Sequence, residues 1–214
     1  MAVDELLDEH EQGERVREWI RQNAIGVIGG IAVALVLVYG YGKWQDHRQA
    51  QRFATGEAYD AVVETIAAGD LDAARAQATA AGLDGGAYGT LVALDLAAAE
   101  VAAGDAAAAI ETLQGIGEVD PVLAPVVARR LAALLVDAGR HDDALAVLGD
   151  ASDAGSLEVR GDAEFAAGRP DKAREAYAAA LAALDEAATG QRHILGIKLI
   201  DAGGSPASNG DQAP

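Results

Sequence analysis

Residues 24–42 read AIGVIGGIAVALVLVYGYG, nineteen positions without a charge or a side-chain amide, and they constrain the chain more than any other stretch of it. As a helix, at about 1.5 Å of rise per residue, the run is roughly 28 Å long, close to the thickness of a bilayer's hydrocarbon. Nine of its residues are Ile, Val or Leu, side chains that favour insertion at mid-helix. Trp19 precedes the run, and Tyr39, Tyr41 and Trp44 cluster at its far end, where amphipathic rings prefer the two membrane interfaces. A buried core helix of this length would keep a polar face, and this one has none. A cleaved signal peptide would open with a short basic stretch and end at a small-residue cleavage site. The segment here is instead long and acidic, with Asp4, Glu5, Asp8, Glu9, Glu11, Glu14 and Glu18. The run reads as an uncleaved transmembrane helix. Arg15, Arg17 and Arg21 on one side balance Lys43, Arg48 and Arg52 on the other, so charge leaves its orientation open.

Inside the run Gly26, Gly30 and Ala34 fall four apart and share one helix face. Small residues at that spacing let another helix approach closely in lipid, which makes the three a candidate packing face. The same glycines are no nucleotide loop, because no strand leads into them.

Beyond residue 43 the chain is alanine-rich, favours helix and shows no strand pattern. Glycine turns punctuate it at Gly69, Gly104, Gly139 and Gly168, at intervals of 35, 35 and 29 residues. Five residues after each glycine stands an alanine: Ala74, Ala109, Ala144 and Ala173. Nine after come Ala78, Leu113, Leu148 and Tyr177; twelve after come Ala81, Ile116, Ala151 and Ala180. Helix–turn–helix units near 34 residues are the tetratricopeptide period. The glycine is expected to end the first helix in a left-handed cap, and the alanine to let the second pack closely on it. Pro121 is expected near the start of a repeat's first helix. The short third interval and the missing consensus tryptophan mark degenerate repeats. The fold class that follows is all-α: one N-terminal transmembrane helix and then a tetratricopeptide-like α-solenoid of helical hairpins. Residues 1–23 form an acidic tail that becomes helical near the anchor, 24–42 the membrane helix and 43–202 the repeat domain. In the last of these, QRHILGIKLIDA (191–202) is a helix covering the final repeat face. Residues 203–214, GGSPASNGDQAP, have the composition of a disordered tail.

Charge narrows the function. The formal net charge is −18, and residues 53–214 hold 26 acids against 10 bases, a balance that repels nucleic acid. With no cysteine there are no disulfides, thiol catalysis or zinc–thiolate sites. Asp70, Asp72, Asp105, Asp142, Asp143 and Asp171 follow the turns, where carboxylates cap helix N-termini rather than catalyse. His141 reads as a loop histidine without a partner at ligand spacing, since His10, His47 and His193 are scattered. GLDGG at 82–86 lacks the Lys-Ser/Thr of a phosphate loop, and neither Ser152 nor Ser156 sits in a nucleophile elbow. The expectation is a non-enzyme without catalytic, cofactor-binding or metal-binding residues.

Four strings carry a resemblance: EQGERVREWIRQN before the apolar run, GKWQDHRQAQ after it, then AYGTLVALDLA and RGDAEFAAGRPDKAREAY. With the order acidic tail, anchor and repeat domain, the chain from about Asp8 to Ile200 resembles the bacterial YfgM family of ancillary translocon subunits. The resemblance implies a single-pass protein of the cell inner membrane, its N-terminus cytoplasmic and its C-terminal domain periplasmic. It further implies association with the SecYEG translocon and with PpiD, a membrane-anchored periplasmic chaperone, on behalf of unfolded exported proteins. The family has no catalytic residues to carry over. The alternative is a repeat-containing scaffold of an envelope biosynthetic or stress-regulatory complex.

Overall fold

A computed structural model describes residues 2–205, with side chains from Gly13 onward except at Val27. The described residues are helical throughout, without strands, in the order α1 (Ala2–Ala67), α2 (Leu71–Ala80), α3 (Gly86–Ala102), α4 (Ala106–Gln114), α5 (Ala124–Asp137), α6 (His141–Leu148), α7 (Ala154–Ala166), α8 (Pro170–Ala183) and α9 (Thr189–Asp201). The chain divides into two units, the first ending at Gly56 and the second beginning at Glu57. The repeat domain as a packed body thus starts later than residue 43.

The first unit is helix alone. Its helix begins at Ala2, well before the approach to the apolar run where sequence placed the onset. Leu35, Val36, Leu37 and Val38, successive residues about 100° apart around the helix, are all exposed, so apolar surface lies on every side of it. No single helix among the described residues is long and apolar enough to cross a membrane. Gly13–Gly26 and Ile28–Ala67, bent by 53° at their junction, reach that length and composition together. One straight span over residues 24–42 is therefore not what the structure contains. Gly26, Gly29 and Gly30 surround the bend, and glycine is where helices give way most readily.

In the second unit the helices pair as hairpins. The end of α1 with α2, α3 with α4, α5 with α6 and α7 with α8 each meet at one of the glycine turns. Each hairpin packs on the next: α2 meets α3, α4 meets α5, α6 meets α7, and α9 closes the array on α8. The core follows the array as three segments. Val62, Ile66, Ala74 and Leu96 belong to the first. Leu113, Leu131, Leu135 and Leu148 belong to the middle one, and Tyr177, Leu195 and Leu199 to the last. A core divided along the chain in this way is what stacking of similar short units produces.

Two details differ from the sequence reading. α5 starts at Ala124 with Pro125 in its first turn, so Pro121 lies in the preceding turn rather than in the helix. His141 is the first residue of α6, with its Nδ1 buried and without a hydrogen bond. Past α9 the chain stays ordered briefly: the amide of Gly203 donates to Ile200 O and that of Gly204 to Leu199 O, both at 2.8 Å. Of the tail expected to be disordered, residues 206–214 lie outside the described residues.

Candidate protein-interaction groove

The four glycine turns share one geometry. Gly69, Gly104, Gly139 and Gly168 have φ of 85°, 83°, 75° and 73°, the left-handed region that costs a Cβ-bearing residue about 1–2 kcal/mol. Each glycine amide donates to the carbonyl three residues back, and the next amide to the carbonyl five back: Gly104 to Val101 and Asp105 to Glu100, both at 2.9 Å. This Schellman arrangement satisfies carbonyls that the ending helix leaves free. Ala74, Ala109, Ala144 and Ala173 are 0 % exposed, and Ala78, Leu113, Leu148 and Tyr177 are buried beside them. The positions twelve after the glycine do not form such a row. Ala180 is buried, Ile116 and Ala151 are half-buried, and Ala81 is exposed.

The aspartates after the turns divide into two groups. Asp70 accepts a hydrogen bond from the amide of Ala73 at 3.1 Å and Asp105 from that of Ala108 at 2.9 Å. The third and fourth turns carry Arg140 and Arg169 in that position instead, and neither side chain caps. There Asp143 pairs with Arg140, Asp142 with Arg169 and Asp171 with Arg174; Asp72 pairs with Arg75. Asp153, which sequence reading passed over, caps α7 through the amide of Ser156 at 3.0 Å. Hydrogen bonding from Ser156 holds its carboxyl below the usual range.

Polar pairs hold the hairpins in register. Thr65 Oγ1 donates to Gln77 Oε1 at 2.8 Å, and Thr112 Oγ1 donates to Glu100 Oε1 at 2.9 Å. The members of each pair stand at equivalent places, four before and eight after the turn glycine. Glu100, only 2 % exposed, also receives Arg75 from the preceding hairpin. At the far end Lys198 of α9 lies 2.8 Å from both Glu158 and Asp162 of α7, and the Tyr177 hydroxyl donates to Asp162 at 2.8 Å. Burial works against the Lys198 charge, but the two carboxylates outweigh it and raise its pKa. Burial, then the bond to Asp162, raises the Tyr177 phenol. Burial likewise pushes Tyr59 up to about 12, helped by its hydrogen bond to Asp95. These groups lock helices together.

Behind such fastenings two adjoining grooves open. The first, about 350 Å³, is lined by Ala97, Ala98 and Val101 of α3, Leu113 of α4 and Arg130, Ala133 and Leu134 of α5. The second, about 680 Å³, shares Arg130 and Ala133 and continues past Arg129 to Asp153, Glu158 and Asp162 of α7 and Gln191 of α9. Of these residues sequence reading singled out Leu113, as a repeat position, and placed Gln191 at the start of the closing helix; it marked none of them as groove-lining. One signal was available: glycines inside a helix need a packing reason. A Cβ at Gly161 would overlap the Tyr177 ring, and one at Gly155 would stand 2.7 Å from Arg129 Nη1. Among the described residues no three His, Asp or Glu side chains gather to hold a metal ion.

The first unit presents a different surface. Gly26 and Gly30 have nothing near the place of a Cβ, and Ala34 is exposed, so the candidate packing face lies open. At the end of the apolar run the Arg48 guanidinium sits 4.3 Å over the Trp44 ring. The Tyr41 and Trp44 rings are 5.8 Å apart.

Compared with known proteins, residues 17–204 match a family model described as a tetratricopeptide repeat-like domain. No curated protein and no solved structure matches the chain. The match begins ahead of the apolar run, so it takes in the helical segment as well as the hairpins. Repeat turns, buried alanines and a match over most of the length agree, and the chain belongs to the tetratricopeptide repeat-like domain family.

Proposed function

We propose that this protein is a membrane-anchored protein-interaction module that acts by binding rather than by catalysis. In this reading α1 crosses the inner membrane, with the N-terminus cytoplasmic and the hairpins periplasmic. The module serves as an ancillary subunit beside the SecYEG translocon, working with a PpiD-like chaperone on unfolded exported chains. The observation that carries the reading is the pair of adjoining grooves lined by α3, α5 and α7, backed by a fastened hairpin array. An array of this kind presents an extended binding surface. Three further features support it: the exposed, all-round apolar stretch of α1, the family match that includes that stretch, and the resemblance of the juxtamembrane strings to translocon subunits. Tethering beside a channel raises the effective concentration of each emerging chain, so weak contacts suffice.

The test is a photo-crosslinking residue placed at Ala98 or at Ala133 in intact cells, with products identified by mass spectrometry. Translocon subunits, the chaperone and nascent exported chains are the expected products. Subunits of one envelope biosynthetic or stress-regulatory complex, in place of these, would replace the translocon reading with a scaffold. Absence of any groove-specific product would remove the groove as the binding surface.

A further inference from the structure

We infer that the groove selects partner segments in which an apolar side chain is followed closely by an aspartate or glutamate; this rests on the groove's role as a protein-binding surface. The apolar group lies over Ala97, Ala98 and Ala133, and the carboxylate meets Arg130.

Arg130 stands where the apolar and polar grooves join. It is exposed, and it is the one arginine of the second unit without a hydrogen bond or ion pair among the described residues. The other seven are engaged: Arg75, Arg129, Arg140, Arg169 and Arg174 with carboxylates, and Arg160 and Arg192 with backbone carbonyls. The acids along the polar groove are engaged as well. Asp153 faces Arg129 at 3.8 Å, while Glu158 and Asp162 share Lys198. The guanidinium at the junction therefore has no carboxylate of its own, inside a unit that is otherwise strongly acidic.

That contrast is what makes the site selective. The overall field of the unit attracts basic segments without regard to their pattern. A guanidinium, by contrast, offers a planar fork of donors that suits a carboxylate and rejects an ammonium. Beside it Ala97, Ala98 and Ala133 line an apolar surface, so a leucine or phenylalanine can lie against it while its neighbour reaches Arg130.

The experiment uses the full chain in mild detergent and fluorescence anisotropy with short fluorescein-labelled peptides carrying Leu-Phe followed by Asp, Asn or Lys. The Asp peptide is expected to bind about tenfold tighter than the Asn peptide, and the Lys peptide more weakly than either. Arg130→Gln should erase the Asp–Asn difference, and Arg130→Glu should place the Lys peptide first. Ala98→Trp, at an exposed position on the groove wall, should weaken all three while helicity stays at the wild-type level. Equal binding of Asp and Asn peptides, a preference for Lys, or no binding by any of the series overturns the inference. If the peptides fail while groove crosslinks to exported chains persist, only the carboxylate preference falls. If those crosslinks are missing too, the interaction surface falls with it.

Discussion

Ala109 has no exposed surface and lies in the middle core segment with Ile110 and Leu113, while Gly104, five residues earlier, has open space where a Cβ would stand. The two residues therefore answer to different physics. Ala109→Leu must push α4 away from its neighbours, at about 1–3 kcal/mol for overpacking. Leucine at exposed Ala106 of the same helix should be close to neutral. Gly104→Ala meets no clash, so its cost is backbone strain alone, about 1–2 kcal/mol. Gly104→Asn should cost less, since asparagine tolerates the left-handed region better. Thermal melts of the four variants separate these cases, and a wild-type melt for Ala109→Leu would refute the repeat register.

Between elements, the charged contacts on the core are where neighbouring hairpins are tied. Arg75 of α2 reaches Glu100 of α3, and at the equivalent place in the last hairpin Arg174 donates to Ala202 O at 3.3 Å. The intervening repeats put Ile110 and Leu145 at that position, so apolar packing takes over between the ends. Glu100 depends on its partner, because its Oε2 is already buried without a hydrogen bond. Arg75→Met leaves a buried carboxylate uncompensated and should cost about 1–3 kcal/mol, moderated because Arg75 is 42 % exposed. Adding Glu100→Gln should recover part of that loss. A double-mutant cycle by denaturant unfolding measures the coupling, and additive effects would show that the contact is incidental.

For the molecule as a whole, the first unit and the hairpin array pose different solvent problems. The array buries a core of its own, whereas Ile25, Ile28, Ile31 and the run from Leu35 to Tyr39 are exposed, a surface stable in lipid or against another protein. On the proposed topology, protease added to spheroplasts should digest the hairpin unit and leave a short N-terminal fragment protected. Survival of the whole chain until the inner membrane is opened would reverse the orientation. Recovery of the chain in the soluble fraction after carbonate washing would remove the anchor altogether.

Much of the array was legible in the primary structure because its determinants are local. A left-handed glycine, the alanine five residues on and the buried residue nine on each act within one hairpin, and their spacing reports them directly. The apolar stretch 24–42 was legible for the same reason, but its bend was not, since composition says nothing about where a glycine-rich helix yields. Capping was legible at Asp70 and Asp105, where the carboxylate needs only its own helix. It did not extend to Asp72, Asp142, Asp143 and Asp171, which stand inside the first turn rather than at the cap and pair with arginines: Arg75, Arg140 and Arg174 within one hairpin, and Arg169 across to Asp142 from the next. The groove belongs wholly to tertiary structure. Ala97 lies on α3 and Arg130 and Ala133 on α5, and no repeat spacing marks them; only the stacking of these helices brings them together and leaves one guanidinium without a partner.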